Sequence, residues 1–132
     1  MILVDSSVWV DFFSSAPGRA GHELRRMISD AEPFAIAGVV VTEILQGLKR
    51  DPGQIEGFLA QWDLLEPRGY KTYREAAAIF RMGRAKGVSL TTIDVLLAAM
   101  ALENGAGVFT LDKDFSRISQ LTGLALYSPP GK

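Results

Sequence analysis

Short apolar runs alternate along this chain with longer stretches in which apolar positions recur every three or four residues. Ile2, Leu3 and Val4 predict a buried strand. Asp5, Ser6 and Ser7 follow as good cap residues, and a helix is expected through Trp9, Phe12 and Phe13 until Ala16, Pro17 and Gly18 end it. A second helix, over about 19–30, carries Leu24, Met27 and Ile28 on one face. Residues 34–37 read as a second short strand, and Val41, Thr42 and Glu43 open a helix running to about Lys49. Asp51, Pro52 and Gly53 signal a turn before a helix over 54–61. Leu64 and Leu65 predict a short strand, followed by helices over about 71–86 and 92–103. A strand over 108–110, a short helix over 113–120 and a last strand over 125–127 complete the pattern.

Strands separated by helical stretches imply a parallel sheet covered on both faces. The expected class is α/β: a three-layer α/β/α sandwich with a mainly parallel central sheet. No repeat, linker or low-complexity tract divides the chain, so residues 1–132 are read as one domain.

Composition narrows the chemistry. With 48% hydrophobic and 22% charged residues in a 132-residue chain, the protein can bury a substantial core without covalent staples. It has no cysteine, which excludes disulfides and thiolate metal sites and fits a reducing cytoplasm. The single His22 excludes a histidine-rich zinc site, so any metal must be held by oxygen. The N-terminus has no basic region and carries an acid at position 5, unlike a signal peptide. The longest apolar run, residues 95–102, falls far short of the roughly 20 residues of a membrane span. A net charge of −1 argues against a dominant electrostatic grip on long nucleic acid.

In an open parallel sheet, ligands bind beyond the C-terminal ends of the strands. Asp5 directly follows the first strand, and Asp112 comes two residues after Thr110, where a later strand ends. Glu43 and Asp94 are expected in the first turns of their helices. If those helices start at the same edge, all of these acids converge. Each acid also has a plain role open to it: Asp5 as a helix cap, Glu43 as a partner of the helix dipole, Asp94 in a capping box from Thr91, and one of Asp112 and Asp114 as a cap. Context favours the cluster. Asp94 heads a helix that is apolar on nearly every side, where a lone charge is costly unless paired or metal-bound. A hard cation such as Mg²⁺, with Mn²⁺ as the other candidate, suits an all-carboxylate site.

Four segments carry a resemblance to a known family: Val4-Asp5-Ser6-Ser7-Val8-Trp9-Val10, Thr42-Glu43-Ile44-Leu45-Gln46-Gly47, the stretch from Thr92-Ile93-Asp94 to Ala101, and Thr110-Leu111-Asp112-Lys113-Asp114-Phe115. In order and spacing they resemble the motifs of PIN-domain proteins, and more narrowly the VapC toxins of bacterial VapBC toxin–antitoxin pairs. The resemblance covers essentially the whole chain. It implies a Mg²⁺-dependent endoribonuclease, often a homodimer, that cuts RNA and is silenced by a cognate antitoxin in a hetero-oligomer. Carried over by position, Asp5, Glu43, Asp94 and Asp112 match the catalytic acids, with Asp5, Asp94 and Asp112 as the direct metal ligands. Ser7 and Thr110 match supporting polar positions, and Asp114 a less central acid.

Other features are weaker. Arg81, Arg84 and Lys86 form the densest basic cluster, suited to RNA phosphates or simply to a helix C-terminus. Arg19, Arg25 and Arg26 read as a solvated face, and Trp9, Phe12 and Phe13 as core or partner-facing. The first helices and the 54–62 segment are expected to offer a groove to an antitoxin helix, as the resemblance implies. A phosphoacceptor signalling domain would need paired acids near the first strand and an acceptor Asp ending a later one, which this chain lacks. A catalytically inactive PIN-like binding module is the remaining alternative, and the filled acidic positions argue against it.

Overall fold

Every strand pairing is parallel in the computed structural model, which describes residues 1–49 and 51–130. Strand β1 (Ile2–Val4) pairs with β4 (Gly107–Phe109), Val4 lying opposite Phe109. Strand β2 (Ile36–Ala37) pairs with β3 (Leu64–Leu65). A bridge from Leu3 to Ala35 joins the two pairs, and one from Val108 to Leu126 extends the far edge. Across the sheet the order is therefore β3, β2, β1, β4, Leu126.

This order sets the layers. From β1 the chain steps outward to β2 and β3, then returns past β1 to β4 and steps outward the other way. Right-handed crossovers place the helices of these two directions on opposite faces. Helices α1 (Ser6–Phe13), α2 (Arg19–Ser29), α3 (Gly38–Gln46) and α4 (Pro52–Leu59) accordingly pack against one another. Helices α5 (Tyr70–Ala85), α6 (Thr92–Glu103) and α7 (Asp114–Thr122) form the second group. The result is the expected three-layer sandwich.

Leu3, Val4, Ile36, Val108 and Phe109 of the sheet are buried, with Trp9, Leu24 and Met27 from the first helical group and Leu97, Met100 and Ile118 from the second. Trp9 anchors an aromatic cluster, its ring 5.6 Å from Phe12, 5.8 Å from Phe13 and 5.7 Å from Trp62. These aromatics are thus core-forming, with Phe12 and Phe13 half-buried. No helix among the described residues is long and apolar enough to cross a membrane.

Local differences from the sequence reading have tertiary causes. Helix α3 starts at Gly38, directly off β2, with no side-chain cap. Its β-branched residues are drawn into the helix because Val40 and Ile44 bury their side chains in the core, which overrides their weak propensity. Glu43 therefore sits in the second turn, and the helix-dipole role expected of it falls away. The strand expected over 34–37 shortens to Ile36–Ala37 plus the Ala35 bridge, and the last strand to a bridge at Leu126. Helix α4 starts earlier than expected, with Pro52 in its first turn, where the missing N–H has no intrahelical partner to lose.

Candidate metal centre

Neighbouring strands β1 and β4 lead away to opposite faces of the sheet, so a crevice opens beyond their C-terminal ends. Asp5 and Thr110 are the first residues past those ends, and the ladder runs one step further because the Asp5 N–H donates to Phe109 O at 2.9 Å. Asp5 caps α1 and is buried, as a cap reading predicts, but its carboxylate does more than cap. Its Oδ2 accepts from Ser7 Oγ at 2.8 Å, from Thr110 Oγ1 at 2.8 Å and, more distantly, from Ser7 N at 3.4 Å. Each hydroxyl is itself held from the other side: Ser7 Oγ accepts from Leu111 N at 2.9 Å, and Thr110 Oγ1 from Asp112 N at 2.9 Å. Asp5 is thus locked in one orientation, with its side-chain hydrogen bonds among the described residues all on a single oxygen.

Asp94, Asp112 and Asp114 each bring one carboxylate oxygen within 4.8 Å of the others. Asp94 lies in the first turn of α6, where Thr91 Oγ1 accepts its N–H at 3.1 Å. It is 8% exposed, and its carboxyl is pushed up to about 6, first by burial and then by the charges of Asp112, Asp5 and Asp114, against a downward pull from Thr91. Asp112 is exposed, and its Oδ1 accepts the Asp114 N–H at 2.9 Å. That turn draws both acids of the Asp-Lys-Asp segment to one side. Asp114 pairs with Arg117 at 2.8 Å.

Glu43 approaches from α3. Burial raises its pKa and the Asp5 charge adds to the rise, while Ser6 lowers it. No Ser6–Glu43 contact reaches full hydrogen-bond geometry, and Glu43 Oε1 is buried without a partner among the described residues. Asp5 is felt by Glu43 on one side and by Asp94 on the other, so these acids share one electrostatic neighbourhood.

The structure therefore brings Asp94, Asp112 and Asp114 together, with Asp5 electrostatically coupled both to Asp94 and to Glu43. The closest trio includes Asp114, expected as a supporting acid, while Asp5 stands beside it. Among the described residues, the only cation in an ion pair with any of these acids is Arg117. An all-oxygen donor set, an unpartnered buried carboxylate oxygen and an acid pushed up by burial and by its acidic neighbours fit a hard divalent cation such as Mg²⁺ or Mn²⁺.

The basic residues divide. Arg84 lies over the Phe80 ring at 5.9 Å, and Arg81 lines an apolar groove between α5 and α6 beside Thr92. Arg26 is committed to Glu23, Asp30 and Glu32, and Arg25 lies over Phe12 at 5.1 Å, so these two are not a merely solvated face. Arg117 escaped the sequence reading, although its spacing of three from Asp114 on a helix was a usable signal.

The PIN domain family matches residues 2–121. The chain is 34% identical over 128 residues to VapC ribonuclease Mb1587 of Mycobacterium bovis and to ribonuclease VapC11 of Mycobacterium tuberculosis, covering 94% of this chain and 96% of each relative. Its fold is similar to that of VapBC2 from Rickettsia felis, solved bound to a DNA fragment of its promoter, with a TM-score of 0.75 and 19% identity over 96% of this chain and 98% of that one. It is equally similar to FitAcB from Neisseria gonorrhoeae, with a TM-score of 0.75 and 18% identity over 100% of both chains. On the family match and the sequence identity together, the chain belongs to the PIN-domain family, in the group of the VapC ribonucleases.

Proposed function

We propose that this chain, read as one PIN domain over residues 1–132, is a Mg²⁺-dependent endoribonuclease. In this reading it is the toxin of a type II toxin–antitoxin pair, acts in the cytoplasm as a homodimer, and is held inactive by a cognate antitoxin protein. The observation that carries the reading is the approach of the Asp94, Asp112 and Asp114 oxygens to within 4.8 Å of one another at the end of β4, beside Asp5. Support for RNA as substrate comes from the relatives, which are named ribonucleases, and support for an antitoxin from similar folds solved as VapBC complexes.

Asp5, Asp94 and Asp112 are assigned the direct contacts to the ion, with Asp114 available as a further ligand. A divalent cation held there supplies stabilisation of the charge that develops on the phosphate oxygens. Ser7 and Thr110 hold Asp5 in place and keep its orientation through the reaction. Glu43 takes the proton of the attacking water, for which its buried, unpartnered Oε1 and raised pKa suit it. The water oxygen bonds to phosphorus as the bond to the leaving ribose oxygen breaks, and that oxygen takes up a proton from solvent.

Asp5→Asn is the test. The expected outcome is loss of Mg²⁺-dependent RNA cleavage with an unchanged circular dichroism spectrum. Full cleavage by the variant would refute the assignment. An unaltered chain that neither cuts RNA nor binds Mn²⁺ in calorimetry would instead be an inactive binding module.

A further inference from the structure

Two depressions meet beside the end of β4. One, of about 460 Å³, is lined by Arg19, Thr110, Leu111, Tyr127 and Ser128 among others. The second, of about 230 Å³, shares Thr110, Leu111, Tyr127 and Ser128 and adds Lys113, Ser116 and the metal-site acid Asp112. With that common lining they form one trough, with Arg19 contributed by one half and Lys113 by the other. Thr110, shared by both halves, is the residue that donates to Asp5.

Both cations are exposed, and neither has a hydrogen-bond or ion-pair partner among the described residues. Arg19 is the first residue of α2, the helix end where a positive charge is disfavoured. The favourable charge near Arg19 is the buried Glu23 one turn on, which it reaches without an ion pair. The nearby N–H groups of Gly18 and Gly21 are already taken by the Asp11 carboxylate, so this helix end is not itself an anion site. Between the cations the lining offers the exposed hydroxyls of Ser116 and Ser128, those of Thr110 and Tyr127 being committed to Asp5 and Glu23.

The trough wall is held rigidly. The Tyr127 ring packs edge-on against Phe109 at 5.0 Å, and its hydroxyl donates to the buried Glu23 carboxylate. Glu23 is in turn bonded to Arg26 at 2.7 Å. A surface already fixed in shape spends little ordering entropy when a ligand arrives.

We propose that this trough carries the RNA strand next to the cleaved bond, with Arg19 and Lys113 taking backbone phosphates to either side of Thr110. The inference rests on the ribonuclease reading above. Charge complementarity selects the occupant: cations at both ends, with serine hydroxyls and the metal-site Asp112 between them, match a sugar–phosphate backbone led to the ion, whose phosphate contacts set register rather than sequence. Arg19 and Lys113 are thus substrate-positioning residues, Arg19 away from the acidic centre and Lys113 between two of its acids.

The test uses the full chain carrying Arg19→Ala, Lys113→Ala or Arg19→Lys. Steady-state Mg²⁺-dependent cleavage is paired with fluorescence anisotropy of a short fluorescein-labelled single-stranded RNA, measured on the non-cleaving Asp94→Asn background. Each alanine variant is expected to raise KM and the RNA Kd about tenfold, leave kcat within about twofold, and reduce the salt slope of log K by about 0.7. Arg19→Lys should restore most of the affinity, and Mn²⁺ binding by calorimetry should not change. If the unaltered chain cleaves RNA and both alanine variants keep its KM, Kd and salt slope, the trough proposal is overturned and the ribonuclease reading survives. Weakened capture of an acidic peptide with RNA affinity intact would overturn it too. An unaltered chain that binds RNA through Arg19 without cutting it sinks the ribonuclease reading alone, and one that does neither sinks both.

Discussion

Thr110 Oγ1 donates to Asp5 Oδ2 across 2.8 Å, tying together the ends of β1 and β4, whose residues lie 105 positions apart. The same hydroxyl accepts the Asp112 N–H, so it orients two of the acids at once. Thr110→Val keeps the shape and removes both bonds. Mn²⁺ affinity and cleavage are expected to fall by about 10–100-fold, as for other groups that orient metal ligands. Stability should fall by only about 1 kcal/mol. Calorimetry and urea denaturation check the two halves, and Thr110→Ser should recover most of the loss.

Asp94 makes the metal-free protein pH-dependent. Its carboxyl keeps its proton up to about pH 6 in the folded chain, against a model-peptide value of 3.8. The folded state therefore binds more protons at this group between those values, so the contribution of Asp94 to stability is fully present below about pH 4 and is lost as pH rises through about 6. The loss contributed by Asp94 is roughly 1–3 kcal/mol. Without metal, Asp94→Asn should be the more stable protein at about pH 8, with the gap closing near pH 4. Excess Mn²⁺ should stabilise the unaltered chain well above the variant, and its affinity should weaken below about pH 6 as protons compete. Thermal melts across pH, with and without Mn²⁺, measure all three effects.

Asp11 joins α1 to α2. Its carboxylate accepts the Gly18 N–H at 3.0 Å and the Gly21 N–H at 2.7 Å, supplying from a distance the cap that Gly18 cannot. Asp11→Ala is expected to lower stability by about 1–2 kcal/mol. Mn²⁺ affinity should stay unchanged, because none of the metal-site acids hydrogen-bonds to Asp11. A loss of Mn²⁺ binding equal to that of Asp5→Asn would contradict this purely structural role.

Three helices end in the same two-bond motif. At the ends of α5 and α6 the left-handed residue is Gly87 or Gly105, but after α2 it is Ala31, with φ of 54°. There the Glu32 N–H bonds Met27 O at 2.9 Å and the Ala31 N–H bonds Ile28 O at 3.1 Å. Ala31→Gly relieves the Cβ strain and is expected to stabilise by about 0.5–1 kcal/mol, read as an increased urea midpoint with an unchanged slope. A lower midpoint would mean that unfolded-chain entropy outweighs the strain.

The sequence alone determined the element types and the nomination of the acids. Caps, periodicity and apolar runs are local properties, so α1, α2, α5 and α6 were legible nearly to their ends, as was Asp94 heading the apolar α6. Strand adjacency is not local. Nothing in Ile2, Leu3 and Val4 says that Gly107, Val108 and Phe109 lie beside them, and that pairing creates the crevice. Tertiary packing likewise moved Glu43 into the second turn of α3, because Val40 and Ile44 had core to fill, and the turn at Asp112 swung Asp114 into the closest trio. Arg19 read as a solvated charge because its neighbours in the trough come from the far end of the chain. Residue type and local pattern decided which groups could do chemistry, and long-range strand order decided which of them meet, since contacts across such separations are encoded only in the packed whole.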